Sequence, residues 1–351
     1  MAKYTAIGIM SGTSLDGLDI VLVEFTKHDI WSFDILKSKT YNYSNNLKEL
    51  LSTAENLPAK EFLLFHNNYG KYIGEIVKDF LIDEKSKPDI IASHGHTIFH
   101  QPEKKFTYQI GNGAEIAKET SITTVSDFRS LDIALNGQGA PLVPIGDKLL
   151  FAKYDYCLNI GGFANISFTK NNKRKAFDIC PANIIANYLC NKIERQYDNK
   201  GGLGSSGIIN NKLLSELNNI EFYSKSGPKS LGKEWLIKEF TPIIDNYDIS
   251  VSDKLSTIYE HIAIQIAKTT DKSYKKKILI TGGGAYNDFL ISRIKHHSSN
   301  EIIIPSNEII DFKEALIFAF LGILRTRNEI NTLASVTGAS KDSSGGIIHN
   351  I

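Results

Sequence analysis

Cysteine is scarce in this sequence, and the little there is lacks a pattern. Cys157, Cys180 and Cys190 are the three cysteines of 351 residues, and their spacing matches no paired metal motif. An odd count of three suits a reducing compartment better than a disulfide framework, so free thiols are expected. An excess of either charge is missing as well. Forty Lys and Arg stand against 39 Asp and Glu, a formal charge of +1, so no global field draws the chain to nucleic acid or to an anionic membrane. Long apolar runs are also absent. The run Ile7 to Met10 is cut off by Ser11-Gly12-Thr13-Ser14, too short for a signal peptide, and Ala315 to Leu324 is too short to span a bilayer. With only 9 prolines, 42% hydrophobic and 23% charged residues, extended disorder is excluded too. A soluble cytoplasmic protein with a small neutral or anionic ligand is expected.

What the chain does have is length and glycine. Its 351 residues exceed the roughly 250–300 at which a single core stops growing, so two lobes are expected. Tyr4 to Met10, Leu18 to Phe25 and Ile30 to Tyr41 read as a three-strand meander, and the first hairpin is joined by the small, polar Ser11 to Gly17. Helical stretches at 47–53 and 61–81 follow, then a buried strand at Asp89 to Ala92 ending in Ser93-His94-Gly95. The pattern recurs at Tyr156 to Ile160, Asn165 to Thr169 and Ala176 to Asp178, interrupted by Gly161-Gly162-Phe163-Ala164. The Gly- and Pro-bearing stretch 136–141 reads as the crossing between lobes. Helices are expected at 183–195, 210–217, 229–240 and 252–270. The strand Lys277 to Thr281 runs into Gly282-Gly283-Gly284, and another lies at Glu301 to Ile304. The helix at 312–327 is apolar almost all round and is expected between layers.

Several motifs compete for a role. Gly202-Leu203-Gly204-Ser205-Ser206-Gly207 matches the dinucleotide pattern literally, but it follows a helical stretch and not a strand, so a flexible helix connection is the better reading. His94, His96 and His100 lack a nearby Cys, Asp or Glu to complete a zinc site; a loop offering imidazole and the Thr97 hydroxyl to a polar ligand fits better. The turn Ser11 to Gly17 has two glycines that let backbone N–H groups approach phosphate, and Asp16 and Asp19 are placed to hold magnesium through its waters. An ordinary polar hairpin explains the same residues equally well. The repeat of the hairpin at Gly161-Gly162 favours a polyphosphate clamp, with Gly282-Gly283-Gly284 leaving room for a nucleoside. Asp178, at a strand end, is placed as a general base, although a turn or capping aspartate is the commoner role. Glu314 opens a helix, where the dipole favours an acid whatever its function.

Across nearly its whole length the sequence resembles the anhydro-N-acetylmuramic acid kinases. The resemblance is carried by Gly8 through Asp19 (GIMSGTSLDGLD), Ser93-His94-Gly95-His96-Thr97, Asp127-Phe128-Arg129, Gly137 through Pro144, Asn159 through Ile166, Pro228-Lys229-Ser230, Gly282 through Ala285, and Val336-Thr337-Gly338-Ala339. It implies an α/β, two-lobed actin-like ATPase fold with duplicated ribonuclease H-like domains and an interlobe cleft. One lobe would comprise residues 1–140 completed by 312–351, the other 141–311. Two departures stand out. Phe177-Asp178-Ile179-Cys180-Pro181-Ala182-Asn183 replaces the family's usual Phe-Asp-Thr-Gly-Pro-Gly-Asn, and His96 stands where Gln is usual. Losing both glycines adds side chains where backbone would approach phosphate or sugar.

The resemblance further implies an ATP-dependent phosphotransferase of cell-wall peptidoglycan recycling. It would use ATP and Mg2+ to open 1,6-anhydro-N-acetylmuramic acid with water and phosphorylate O6. On this reading Asp178 takes the proton of the attacking water. Gly12, Thr13, Ser14, Leu15, Asp16, Gly17, Leu18, Asp19, Gly161, Gly162, Gly282, Gly283 and Gly284 bind ATP, with Asp16 toward the metal through water. Thr97, Arg129 and Glu314 grip the sugar, Arg129 through the lactyl carboxylate. An ordinary 6-hydroxyl sugar kinase and a catalytically dead nucleotide or muropeptide-sugar sensor are the alternatives. Partners are small molecules, with no nucleic acid and no membrane, and the reading leaves room for a homodimer.

Overall fold

The computed structural model describes residues 2–12, 15–84, 87–225, 229–270 and 275–351. Thr13, Ser14 and Pro228 therefore lie outside the described residues. The chain divides into two compact units, residues 1–150 with 312–351 and residues 151–311.

The first unit opens with β1 (Ala2–Ser11), β2 (Gly17–Lys27) and β3 (Trp31–Asn42), an antiparallel meander. β4 (Ile90–Gln101) joins β1 in parallel, β5 (Phe106–Ile110) folds back on β4, and β6 (Thr124–Ser126) extends the parallel side. The second unit repeats this plan. β7 (Tyr156–Ile160), β8 (Phe163–Lys170) and β9 (Lys173–Pro181) form the meander, with β10 (Lys277–Thr281) and β11 (Glu301–Ile303) parallel beyond β7. β12 (Ile347–His349) returns to the first sheet and caps β6 antiparallel. The orders are thus β3-β2-β1-β4-β6-β12 and β9-β8-β7-β10-β11. Both begin with three antiparallel strands and continue in parallel, the ribonuclease H-like order, present twice.

In the first unit, alternation along β1 sends Ile7 and Ile9 to one face and Ala6 and Gly8 to the other. The Ile7 and Ile9 side packs with Leu18 and Ile20 against Tyr69, Ile73, Val77 and Phe80 of the helix Ala59–Phe80. The opposite face meets the apolar helix Asn307–Thr326, whose Phe320 ring stands 5.4 Å from Phe25 and 5.1 Å from Trp31. Burial on both faces explains why β1 and β2 read as nearly continuous apolar runs. Each of these large side chains contributes roughly 1.5–3 kcal/mol by leaving water. Gly8 belongs to this packing, because a Cβ there would run into the Ala315 carbonyl. The second core joins Leu158, Ile160, Ile166, Ile278 and Ile280 to Leu255, Ile258, Ile262 and Ile266 of the helix Val251–Thr269. That helix is started by Ser250, whose Oγ accepts the Asp253 N–H at 3.1 Å.

Three expectations need correction. The stretch 136–141 is no crossing: the units part between Leu150 and Phe151. Asp132 accepts the Gly139 N–H at 2.7 Å and Thr337 accepts the Gln138 N–H at 2.9 Å, which fastens the stretch inside the first unit. Ser93 to Thr97 is not a strand-end loop, because pairing with β5 extends β4 as far as Gln101. Gly202 to Ser206 is a short helix and not a loose connection, for Asp198 accepts the N–H groups of Leu203 and Gly204 at 2.8 and 3.0 Å.

Candidate active site

The hairpin between β1 and β2 is anchored at Ser11, which is buried. Its Oγ accepts hydroxyl hydrogens from Tyr43 at 2.7 Å and Tyr69 at 3.1 Å, and it lies 2.8 Å from His96 Nδ1. With two phenols donating to it, the serine hydroxyl turns its own hydrogen to the imidazole. Burial holds His96 neutral, pushed down to about 4. Beyond Ser11, Leu15 donates its N–H to the Gly12 carbonyl at 3.2 Å and sits at φ 60. Gly17 and Leu18 then begin β2, with Leu18 in the core. Asp16 is exposed on the turn, while Asp19, half-buried, accepts the Thr40 hydroxyl at 2.6 Å.

Arg129 lies at the start of a short helix after β6. It donates Nε and Nη2 to Nε2 of buried His94 at 3.0 and 2.8 Å, and Nη1 to the Gly139 carbonyl at 2.7 Å. His94 Nδ1 in turn donates to the Gly95 carbonyl at 2.8 Å, which fixes the neutral tautomer. Burial lowers Arg129 to about 10, leaving it charged at neutral pH. Glu314 keeps solvent-exposed surface, but loss of water around its carboxyl raises it above the usual carboxylate range, and the Arg129 charge offsets part of that rise. Thr97, half-buried on β4, accepts the Gln109 amide at 3.3 Å. His94 also lines a cavity of about 260 Å³ with Ser93, Gln109, Asn112, Ser126 and Asp127. Sequence reasoning gave no role to these neighbours, although Ser93 and Asp127 sit inside the quoted motifs.

In the second unit, a bulge sets the direction of Asp178. Asn165 pairs with Asp178 and Ala164 with Cys180, so Ile179 is the extra residue. Ile179, Cys180 and Ala182 are buried in the core. The two side chains that replace the family's glycines therefore point into the interior and not toward an accessible surface. Asp178 itself is half-buried. Its Oδ2 accepts the Leu231 N–H at 2.8 Å, and its own N–H donates to the Lys229 carbonyl at 2.9 Å. The segment 229–231 thus runs beside β9, and helix begins only at Lys233, not at Lys229. Loss of water around the carboxyl raises it above the usual carboxylate range, and the Leu231 N–H offsets part of that rise.

The glycine turns of this unit converge. The Gly161 carbonyl accepts the Asn183 N–H at 3.1 Å and that of Gly162 accepts the Ala182 N–H at 2.8 Å, which ties the first turn to the helix Asn183–Asn191. Asn183 Nδ2 reaches the Ile160 carbonyl at 3.2 Å. Gly282, at φ 81, leaves no room for a side chain, since a Cβ would lie 2.5 Å from Asn159 Oδ1. Gly161, Gly162, Gly282, Gly283 and Gly284 are therefore gathered around Ile160, with Asn159 and Asn183 between the two turns. Neither asparagine was assigned a role from sequence; the available signal was that Asn159 stands two residues before Gly161 and that Asn183 closes the 177–183 motif.

Two sheets of one order, with a glycine-bearing turn at the first hairpin of each, are the fold of the actin-like ATPase and sugar kinase class. The family model for anhydro-N-acetylmuramic acid kinase matches residues 4–350, and the chain belongs to that family of ATP-dependent phosphotransferases. A relative with that name from Hydrogenovibrio crunogenus is 35% identical, covering 97% of this chain and 97% of its own. One from Aliivibrio fischeri is 34% identical over 99% of each. Among solved structures, component A of (R)-2-hydroxyglutaryl-CoA dehydratase from Acidaminococcus fermentans aligns with 90% of this chain and 96% of its own, at 12% identity and a TM-score of 0.46. Likeness that distant decides nothing about the site. Among the described residues no helix is long and apolar enough to cross a membrane.

Proposed function

We infer that the chain converts 1,6-anhydro-N-acetylmuramic acid, water and ATP into N-acetylmuramic acid 6-phosphate and ADP, as a cytoplasmic enzyme of peptidoglycan recycling. The observation that carries the reading is the state of Asp178. One oxygen is held by the Leu231 N–H, its basicity is raised by burial, and among the described residues no protein donor occupies the other oxygen. Such a carboxylate takes a proton from water attacking the anomeric carbon, as the base does in an inverting glycosidase. The C1–O6 bond breaks and the water oxygen bonds to C1. O6 attacks the γ-phosphorus and ADP departs, so no second protein acid is required.

The β1–β2 turn at Gly12 to Asp19 and the turns at Gly161-Gly162 and Gly282 to Gly284 are assigned to ATP, with backbone N–H groups near the phosphates. Arg129, Thr97 and Glu314 are assigned to the sugar. Magnesium, when bound, neutralises charge on the transferring phosphates. The donors fit its habit of keeping most of its waters: Asp16 is exposed on the turn, and the described residues contain no group of three His, Cys, Asp or Glu placed to enclose a metal. The deciding experiment supplies 18O-labelled water. Label must appear at C1 of the phosphorylated product, and the anhydro-sugar must turn over much faster than N-acetylmuramic acid or glucose. Equal phosphorylation of an open-ring sugar would replace the hydrolytic mechanism by an ordinary 6-hydroxyl kinase.

A further inference from the structure

The second unit also carries a cavity apart from the glycine turns. It has a volume of about 450 Å³ and lies against β9, on the side of Phe177 and Ile179. Its lining is uneven in charge. Lys225, Lys229 and Lys268 face it, and no carboxylate is among the described residues of its wall. Glu221 reaches Lys225 at 3.4 Å, but both side chains are exposed there, and so weak an ion pair leaves the basic balance intact. Lys229 is half-buried, with its ammonium donating to the Phe222 carbonyl at 3.0 Å and standing 4.3 Å from the Phe222 ring centre. The same ammonium donates to the Lys225 carbonyl at 3.3 Å, and burial lowers its pKa.

The remainder of the wall is suited to a hydroxylated body. Gln265 is buried to 4% exposure, and its amide donates to Asn218 Oδ1 at 2.6 Å. The same oxygen takes the Nδ1–H of buried His261 at 2.9 Å, and His261 Nε2 accepts the Tyr223 hydroxyl at 2.9 Å. Two cavity-lining groups, Asn218 and Tyr223, are thereby fixed from behind by one neutral imidazole. Rigid amides, aromatic faces and ammonium groups together match a sugar ring carrying a phosphate, and a volume of about 450 Å³ exceeds what bare phosphate would fill.

The cavity is joined to the reaction through the backbone. The residue that offers its ammonium, Lys229, also offers its carbonyl to the Asp178 N–H, and two residues later Leu231 holds the Asp178 carboxylate. We propose that this cavity is a regulatory site for a sugar phosphate, and that its occupancy acts on turnover by shifting the 229–231 segment that orients Asp178. The effect on rate rests on the catalytic reading of Asp178, whereas binding at the cavity does not.

Binding and rate are therefore measured separately on the full chain, at constant ionic strength. Glucose 6-phosphate is the probe, with glucose and inorganic phosphate as the two halves of its chemistry. Calorimetry is expected to show saturable binding of glucose 6-phosphate that is at least tenfold tighter than of either half, and undiminished by saturating ATP and anhydro-sugar. The Lys268→Glu variant is expected to lose tenfold or more of that affinity while keeping the basal rate. In the wild type, saturation with the probe is expected to change kcat by threefold or more, and in Lys268→Glu this response disappears. Loss of probe binding when ATP or anhydro-sugar is added would place the probe in the active site and overturn the proposal. So would affinity untouched by both Lys268→Glu and Lys225→Glu, or binding with kcat unchanged. If the anhydro-sugar is not a substrate yet the probe binds and depends on Lys268, the functional reading fails and the anion cavity stands.

Discussion

Arg129 donates two guanidinium N–H groups to a single atom, Nε2 of His94, at 3.0 and 2.8 Å. A neutral histidine serves here as a fixed acceptor that aims a cation, since its other nitrogen is committed to the Gly95 carbonyl. His94 is kept neutral by burial and by the charge of Arg129 itself. Replacing Arg129 by lysine keeps the charge but removes the planar fork that suits both the imidazole and a sugar carboxylate. The expected result is a KM for anhydro-sugar raised tenfold or more with KM for ATP within about twofold. His94→Ala should do the same in milder form, because it leaves the guanidinium unaimed. Steady-state kinetics with each substrate varied would show the split, and an equal rise in both KM values would remove Arg129 from the sugar.

Asp178 must be ionised to accept a proton, and burial raises its pKa above the ordinary carboxylate value. The rate should accordingly fall as pH drops through that raised value, giving an acidic limb at higher pH than an exposed aspartate would give. Asp178→Asn should lose at least about 10²-fold in kcat and flatten the limb. ATP affinity measured by calorimetry should stay near wild type, since the amide keeps an acceptor for the Leu231 N–H. A variant with near-normal turnover would dismiss Asp178 as the base.

Much of the fold was written locally. Alternation and turn chemistry located the strands of both meanders, and the glycine turns stood where those strands end. What local pattern left out depended on partners far along the chain. β4 continues through Ser93 to Gln101 because β5 pairs with it, and nothing within 93–101 announces that. The stretch 136–141 has the composition of a linker, yet Asp132 and Thr337 hold it in place. At the site, residue types alone left Asp178 more readily a turn or capping aspartate, and the base role came from the resemblance; its aim depends on a one-residue bulge and on Leu231, fifty-three positions away. The burial of Cys180 in the core depends on the same bulge, which the motif alone does not show.

The Ser11–His96 contact predicts a stability that depends on pH. Folding buries His96 neutral with its pKa near 4, against about 6.5 unfolded. Between those values the unfolded chain binds more protons, so stability rises with pH across this window and is lost as pH falls through it. The stability lost through His96 across this window is on the order of 3 kcal/mol. His96→Gln, which still offers an acceptor to the Ser11 hydroxyl but does not titrate, should reduce the slope between about pH 4 and 6.5. His94 and His261 are also lowered by burial, so part of the slope should survive. Urea unfolding midpoints at several pH values would measure it, and an unchanged slope in the variant would deny His96 this role.

Cys180 gives the last test, because it separates packing from chemistry at the position where the family's glycine is missing. Its side chain is fully buried opposite Ala164 and belongs to the same core as Ile160, Ile166 and Ile185. Burial, together with the neighbouring Asp178 charge, pushes its thiol well above the ordinary range, so it remains protonated and shielded. Restoring glycine would empty a small packed volume and loosen the backbone beside the bulge. Cys180→Gly should therefore cost about 1–3 kcal/mol of stability, seen as a lower unfolding midpoint. KM for ATP and for the anhydro-sugar should stay within about twofold of wild type. The folded wild type should also resist thiol reagents at Cys180 until denaturant is added. A Cys180→Gly variant that binds ATP or sugar markedly better would show that the thiol reaches the ligand, and the inward direction of the side chain would have to be abandoned.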